Sequence, residues 1–163
     1  MRRLLLAILT ASITLTFAPA HANLTITSIT DGDTIKLSDG TSVRLLQIDT
    51  PELRGSECYA TEAQKALAKL LNRSGKITLA TDPNLDEVDR YGRILRYLFV
   101  GKRNINLEMV RIGAAAPYFY RSERGIYSEQ FMKLAQAAQG KKRGLWGACP
   151  NSRLEPTRAL STD

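Results

Sequence analysis

Between Leu24 and Ile48 the chain alternates apolar and polar residues in short runs, broken at Asp31-Gly32 and at Asp39-Gly40. Alternation with period two marks half-buried strands, and Asp-Gly is a dipeptide that tight hairpin turns favour. The pattern predicts three successive strands at 24–29, 33–37 and 42–48, the second placing Asp33, Ile35 and Leu37 on one face. Two of the three are hairpin-linked, which argues for a meander or a small barrel.

Further along, Thr61-Glu62-Ala63-Gln64 matches the capping-box pattern, and Ala63, Leu67, Leu70 and Leu71 follow at helical spacing. Gly75 is placed to end that helix with a left-handed cap. Segments 76–80 and 93–100 read as two more strands. Helices are expected over 104–112, stopping at Gly113, and over 128–139, with Phe131, Leu134, Ala135 and Ala138 on the buried side. Five strands with a helix after the third suit an α+β fold, a five-stranded OB-type Greek-key β-barrel with about three α-helices. Such barrels often bind oligonucleotides, but a fold alone does not establish a function. The 163 residues fit one domain, assigned to 23–150, and the polar, proline-containing stretch 151–163 reads as a loose tail.

The first 22 residues read as an export signal. Arg2 and Arg3 precede a mostly apolar run from Leu4 to Phe17, and Ala20-His21-Ala22 has the small-x-small pattern of a cleavage site. A membrane span needs about 20 apolar residues, so removal is expected over retention as an anchor. The product would be periplasmic or fully secreted. In an oxidising compartment Cys58 and Cys149 become a candidate disulfide, the alternative being two unpaired small side chains.

Removal of the signal takes away His21, the only histidine. Serine–histidine hydrolysis, histidine-based ribonuclease chemistry and zinc sites with histidine are then excluded. Two cysteines cannot build an all-thiolate zinc site either. Catalysis would have to rest on carboxylates, Arg, Lys or Tyr, with or without a hard metal ion. Charge is also uneven. Residues 23–89 carry 7 basic and 11 acidic side chains, whereas residues 90–163 carry 14 and 5. A cationic half suits a polyanionic partner, of which nucleic acid is the commonest.

Three clusters could carry chemistry: Asp31-Gly32-Asp33-Thr34, the run Arg44 to Glu52, and Asp89-Arg90-Tyr91-Gly92-Arg93. Taken singly, each is more often a turn or a helix start. Each also begins or ends an expected strand, so barrel closure could gather them at one rim. Asp33 and Asp49 would repel there unless a cation lay between them, and oxygen ligation suits calcium or magnesium. The carbonyl of Thr50 is a further oxygen donor, with Asp31 and Thr34 orienting the ligands. Glu52 is suitably placed for a base that activates water. Arg44 and Arg93 are the natural phosphate partners, because guanidinium pairs bidentately with phosphate and keeps its charge.

In these three clusters, together with Tyr118, Tyr120 and Gly144-Leu145-Trp146, the chain resembles the staphylococcal nuclease family from about Thr27 to Trp146. The resemblance implies that Asp33, Asp49 and the Thr50 carbonyl bind Ca2+, that Glu52 is the general base, and that Arg44 and Arg93 are the catalytic phosphate pair. It also implies that Tyr91, Tyr118 and Tyr120 line the nucleotide pocket. The implied activity is calcium-dependent cleavage of DNA, RNA or both at the 5′-oxygen, leaving 3′-phosphate ends. The loop from Glu52 to Tyr59 is about four residues shorter than in the type member, which leaves substrate access open, and the segment between Gly113 and Tyr118 is about one residue shorter. Two other readings remain: a catalytically silent OB-type module that binds nucleic acid or protein, and a basic protein that coats anionic surfaces. A monomer is expected.

Overall fold

In the computed structural model residues 25–72 and 74–162 are described; the signal expected at 1–22 lies outside them. The amino-terminal hairpins form as the alternation predicts. β1 (Ile26–Ile29) pairs antiparallel with β2 (Thr34–Leu37), and β2 with β3 (Ser42–Leu45). The third strand is shorter than expected. At Gln47 the backbone turns to φ 60° and the ladder stops, and the chain resumes as β4 (Ile48–Asp49). Gln47 is held in that conformation by its buried amide, which donates to Glu123 O at 2.9 Å and accepts from Gly125 N–H at 3.0 Å. The kink separates Asp49 from β3 and so allows the side chain of Arg44 to fold back toward it.

α1 (Ala60–Leu71) buries Ala63, Leu67 and Leu70 as its spacing predicts. The expected capping box does not form. The helix begins at Ala60, after a left-handed Tyr59 that makes no side-chain cap, so Thr61 lies inside it. Gln64 instead donates to the carbonyls of Ile29 and Thr30 at 3.0 and 3.2 Å, tying the helix to the loop that carries Asp31 and Asp33. The helix also stops earlier than Gly75, at Asn72 with φ −73°.

β5 (Ile77–Ala80) pairs antiparallel with β6 (Ile94–Val100), and β6 runs parallel to β3. The sheet order β1-β2-β3-β6-β5 curls into a half-barrel, with short β7 (Arg103–Asn104) on β6. α2 (Ile105–Arg111) is capped by the Asn104 side chain, which accepts from Leu107 N–H. β8 (Ala116–Pro117) pairs with β4, and α3 (Ser128–Gly140) and the four-residue α4 (Leu145–Ala148) complete the α+β domain. Ile35, Val43, Leu45, Leu98, Met109 and Phe131 lie in the buried core between sheet and helices. Burying a side chain of this size contributes about 1.5–3 kcal/mol, so this layer dominates the fold's stability. Among the described residues no helix is long and apolar enough to cross a membrane.

Cys58 and Cys149 form a disulfide, with Cα atoms 5.9 Å apart. The segment after it departs from the loose tail expected from its composition. Leu154 and Leu160 pack on a small cluster that includes Ala116, Trp146 and Cys149, and Phe119 N–H donates to Pro156 O at 2.6 Å. The disulfide roots this segment, and two leucines in an otherwise polar stretch suffice to hold it down.

Candidate active site

Strand register sets the centre of the site. Thr34 on β2 stands opposite Arg44 on β3, and Arg44 stands beside Leu95 on β6. Directly paired residues share a face of the sheet. Arg93 lies just before β6, and its guanidinium reaches toward Thr34 on β2. The loop after β1 brings in Asp33, and β4 brings in Asp49. Gly32 is required in that loop. A Cβ there would meet Thr50 Cγ2 and Oγ1 at 2.8 Å and Ala63 Cβ at 2.9 Å. Any larger residue would push the loop away from Thr50.

Asp33 is almost wholly buried. Its Oδ1 accepts from the Thr34 hydroxyl at 3.0 Å and faces Arg44 Nε at 3.1 Å. Its Oδ2 accepts from Thr50 N–H and from the Thr50 hydroxyl, both at 3.0 Å. Asp31 Oδ1 accepts from Asp33 N–H at 3.0 Å and braces the turn. Asp49 joins through Arg44 Nη2, 2.7 Å from its Oδ1. Arg44 Nη1 also donates to the carbonyls of Leu45 and Ile48 at 3.1 and 2.7 Å, across the Gln47 kink. Arg44 is therefore fixed on four sides. Arg93 is less committed: Nε pairs with Asp89 Oδ2 at 2.7 Å, and Nη1 reaches Thr34 Oγ1 at 3.5 Å.

Electrostatics at the rim are set by burial. Burial pushes the Asp33 carboxyl up to about 7, with Arg44 opposing and Asp31 and Asp49 adding to the rise. Burial also raises Asp49, against Arg44, and raises Glu52, with help from Asp31 and Asp49. The Arg44 guanidinium loses by burial but gains more from Asp33 and Asp49, which hold it above its ordinary value. One buried cation thus fails to balance the acids around it. Among the described residues no three acids form a ready-made metal cage, since Asp33 and Asp49 turn toward Arg44. The donors are nonetheless all hard oxygens in a field of excess negative charge, and that chemistry fits a hard divalent cation. Asp33 and Asp49 are the residues able to hold one. Thr50 donates both its N–H and its hydroxyl hydrogen to Asp33, and its carbonyl oxygen takes no part in those bonds.

Glu52 is exposed, close enough to Asp31, Asp49 and Arg44 to feel their charges, and its backbone N–H is bonded to Glu57 Oε2 at 2.8 Å. Beside the acids, Tyr91, Tyr118 and Tyr120 line a groove of about 350 Å³ together with Arg44 and Arg93. Gly92, at φ 78°, makes the turn that presents Tyr91, and Asp89 Oδ1 accepts the N–H groups of Tyr91 and Arg93. Burial would raise the Asp89 carboxyl, but the Arg93 guanidinium bond together with these two N–H bonds outweighs it and holds the group below its ordinary range. The guanidinium of Arg93 lies 5.4 Å from the Tyr91 ring centre and that of Arg90 4.9 Å, while Arg121 sits 5.2 Å from Tyr120. A groove of aromatic rings and guanidinium groups opens onto a buried acid–arginine centre.

A family model described as staphylococcal nuclease homologue matches residues 42–148, more than half of the chain. The chain belongs to the staphylococcal nuclease family. Similar proteins include the SPβ prophage-derived endonuclease YokF of Bacillus subtilis, 34% identical over 131 residues, which cover 76% of this chain and 44% of that relative. An endonuclease of Haemophilus influenzae is 34% identical over 137 residues, covering 82% of this chain and 70% of the relative. The thermonuclease of Staphylococcus hyicus is 33% identical over 125 residues, covering 72% of each chain. The chain spans less than two thirds of the two Bacillus subtilis relatives it matches, 44% and 61%. Side chains from all three sequence clusters are in contact in this family member: Asp33 and Thr34 from the first, Arg44 and Asp49 from the second, Asp89 and Arg93 from the third.

Several residues that shape the site carry no chemical signal in the sequence. Gln47 makes the kink that frees Asp49, and its only hint is an amide inside an apolar run. Asp82 is buried and accepts from Tyr97 O–H at 2.7 Å and from Ile126 N–H at 2.8 Å, fixing the loop that carries Tyr120 and Arg121. Asn106, fully buried on α2, donates to Leu46 O and accepts from Leu98 N–H, both at 2.9 Å, which locks the helix beneath the kink.

Proposed function

We propose that this protein is an exported, calcium-dependent endonuclease that hydrolyses phosphodiester bonds of DNA, RNA or both. The observation that carries the reading is the meeting of Asp33, Asp49, Arg44 and Arg93 at one end of an aromatic groove. The endonuclease and thermonuclease names of its relatives support the same class. The protein acts as a monomer in the periplasm or outside the cell, and the Cys58–Cys149 bond suits either place.

Tyr91, Tyr118 and Tyr120 take a base on their ring faces, which is sequence-tolerant binding, because every base has a face to stack. Arg93 and the uncommitted N–H of Arg44 grip the phosphate that follows. Asp33, Asp49 and the Thr50 carbonyl would hold calcium, which when bound supplies positive charge toward the phosphoryl oxygens. Glu52, whose carboxylate is made more basic by burial and by its acidic neighbours, takes a proton from water. The oxygen of that water bonds to phosphorus as the bond to the 5′-oxygen breaks, leaving a 3′-phosphate, while the departing oxygen takes a proton from solvent and leaves as a 5′-hydroxyl. Charge grows on the phosphoryl oxygens in this step, so fixed guanidinium groups stabilise the transition state more than the bound substrate. A base supplies about 10²–10⁴ in rate and a preorganised donor about 10²–10³, which makes the set adequate without histidine.

The test is incubation of single-stranded DNA and of RNA with the purified protein, with calcium and with a calcium chelator, followed by end-group analysis. The expected result is cleavage with calcium, arrest by the chelator, and 3′-phosphate ends. Cleavage that persists in chelator would remove the metal assignment, and absence of cleavage on both substrates would remove the enzyme.

A further inference from the structure

The carboxyl-terminal segment, residues 149–162, lies past the stretch that the family model matches. It nevertheless reaches the centre of the site. Leu160 N–H donates to Asp49 Oδ2 at 2.8 Å, across 111 residues of sequence. The same segment receives Phe119 N–H at Pro156 O, between Tyr118 and Tyr120 on the groove wall. Its root is fixed by the disulfide at Cys149, and Leu160 packs on the cluster around that bond. One strap of chain therefore touches both the acid centre and the aromatic wall.

Asp49 has two fixed donors, Arg44 on Oδ1 and Leu160 on Oδ2. Arg44 shares its guanidinium among Asp33, Asp49 and the phosphate it would grip, so Leu160 is the donor to Asp49 that substrate leaves untouched. A carboxylate on a two-residue strand, left with no second anchor, rotates about its side-chain bonds. A carboxylate also has about four acceptor positions, so one amide holds it without exhausting it. We infer that Leu160 is a positioning residue of the active site: its backbone N–H keeps the Asp49 carboxylate aimed while Arg44 engages the phosphate. The inference rests on the function proposed above for its catalytic consequence, but the contact itself does not depend on any metal.

Cys149 offers a ligation point for the experiment. A synthetic 149–163 peptide joined there to residues 23–148 can carry an ester in place of the Ala159–Leu160 amide, which removes the N–H and keeps the leucine. Two readouts need neither metal nor substrate. The Leu160 amide should be protected from hydrogen exchange and lose that protection in Asp49→Ala. The Asp49 carboxyl-carbon resonance, sharp in the all-amide protein, should broaden or move in the ester protein. Calorimetry should then show calcium affinity reduced about tenfold, as for a lost bond to a charged group. kcat should fall with it, while thermal stability and KM change little. An unchanged Asp49 resonance in the ester protein overturns the inference whether or not calcium binds. So does tighter calcium binding or faster cleavage on removing the amide, which would make the strap a block instead of a support. Failure of the all-amide protein to bind calcium or cleave nucleic acid would instead count against the proposed function.

Discussion

The two halves of the groove are built on opposite terms. At the acid end Asp33 is buried, Arg44 is nearly so, and both are tied to other parts of the fold through several bonds. At the aromatic end Tyr91 is 68% exposed and Tyr120 49% exposed, with arginines resting on their rings. The first half has its geometry settled before any ligand arrives, at the cost of crowding like charges. The second half stores exposed apolar surface and gains by covering it. In the proposed nuclease, chemistry that needs atoms in fixed places would fall to the rigid end, and binding that must tolerate any base to the open end.

Arg44→Ala should break the rigid half most severely. Cleavage should drop by about 10³-fold, and stability by about 3 kcal/mol, because Asp33 and Asp49 lose their shared cation inside the fold. Parallel nuclease assays and denaturant melts check both. Lost stability with intact turnover would make the acid end a scaffold only. Glu52→Gln should lower kcat by about 10²–10⁴-fold while the unfolding midpoint stays put, since Glu52 is exposed. Collapse of nucleotide binding with turnover preserved would reassign it to binding. Tyr91→Ala should act on the other half alone, raising KM about tenfold with kcat within about twofold. A matching fall in kcat would erase the distinction between the halves.

The smallest expected effect is on thermal stability. The folded-state Asp33 carboxyl is raised by burial from 3.8 to about 7, so its protonated form favours the fold. That contribution is whole below the ordinary value and fades as pH climbs through about 7. Protons and calcium therefore compete for the same oxygens. Millimolar calcium should raise the melting temperature by a few degrees at pH 8 and by less at pH 5. An equal rise at both values would place any bound calcium away from Asp33.

Much of this was legible along the chain. Alternation and Asp-Gly turns located the hairpins, and helical spacing located α1 and α3, because burial on one face imposes a period that local sequence must follow. The acids and arginines were legible too, since few side chains hold hard cations or phosphate. Less accessible were the break at Gln47, the unused capping box at Thr61 and the docking of residues 151–162. Each depends on a partner far along the chain: Gly125 for Gln47, the Ile29 carbonyl for Gln64, and the cluster at Cys149 for Leu160.

Sequence by itself determined which residues could carry the chemistry, and it supplied a single histidine, His21, outside all three clusters. It also determined the strands that would have to pair. Tertiary structure alone decided that Arg44 would be clamped between two carboxylates, that Arg93 would keep a freer hand, and that a backbone amide near the carboxyl terminus would reach Asp49. The reason is physical. Side-chain identity is a local property, whereas burial, charge balance and the direction of a hydrogen bond exist only once distant segments share a surface.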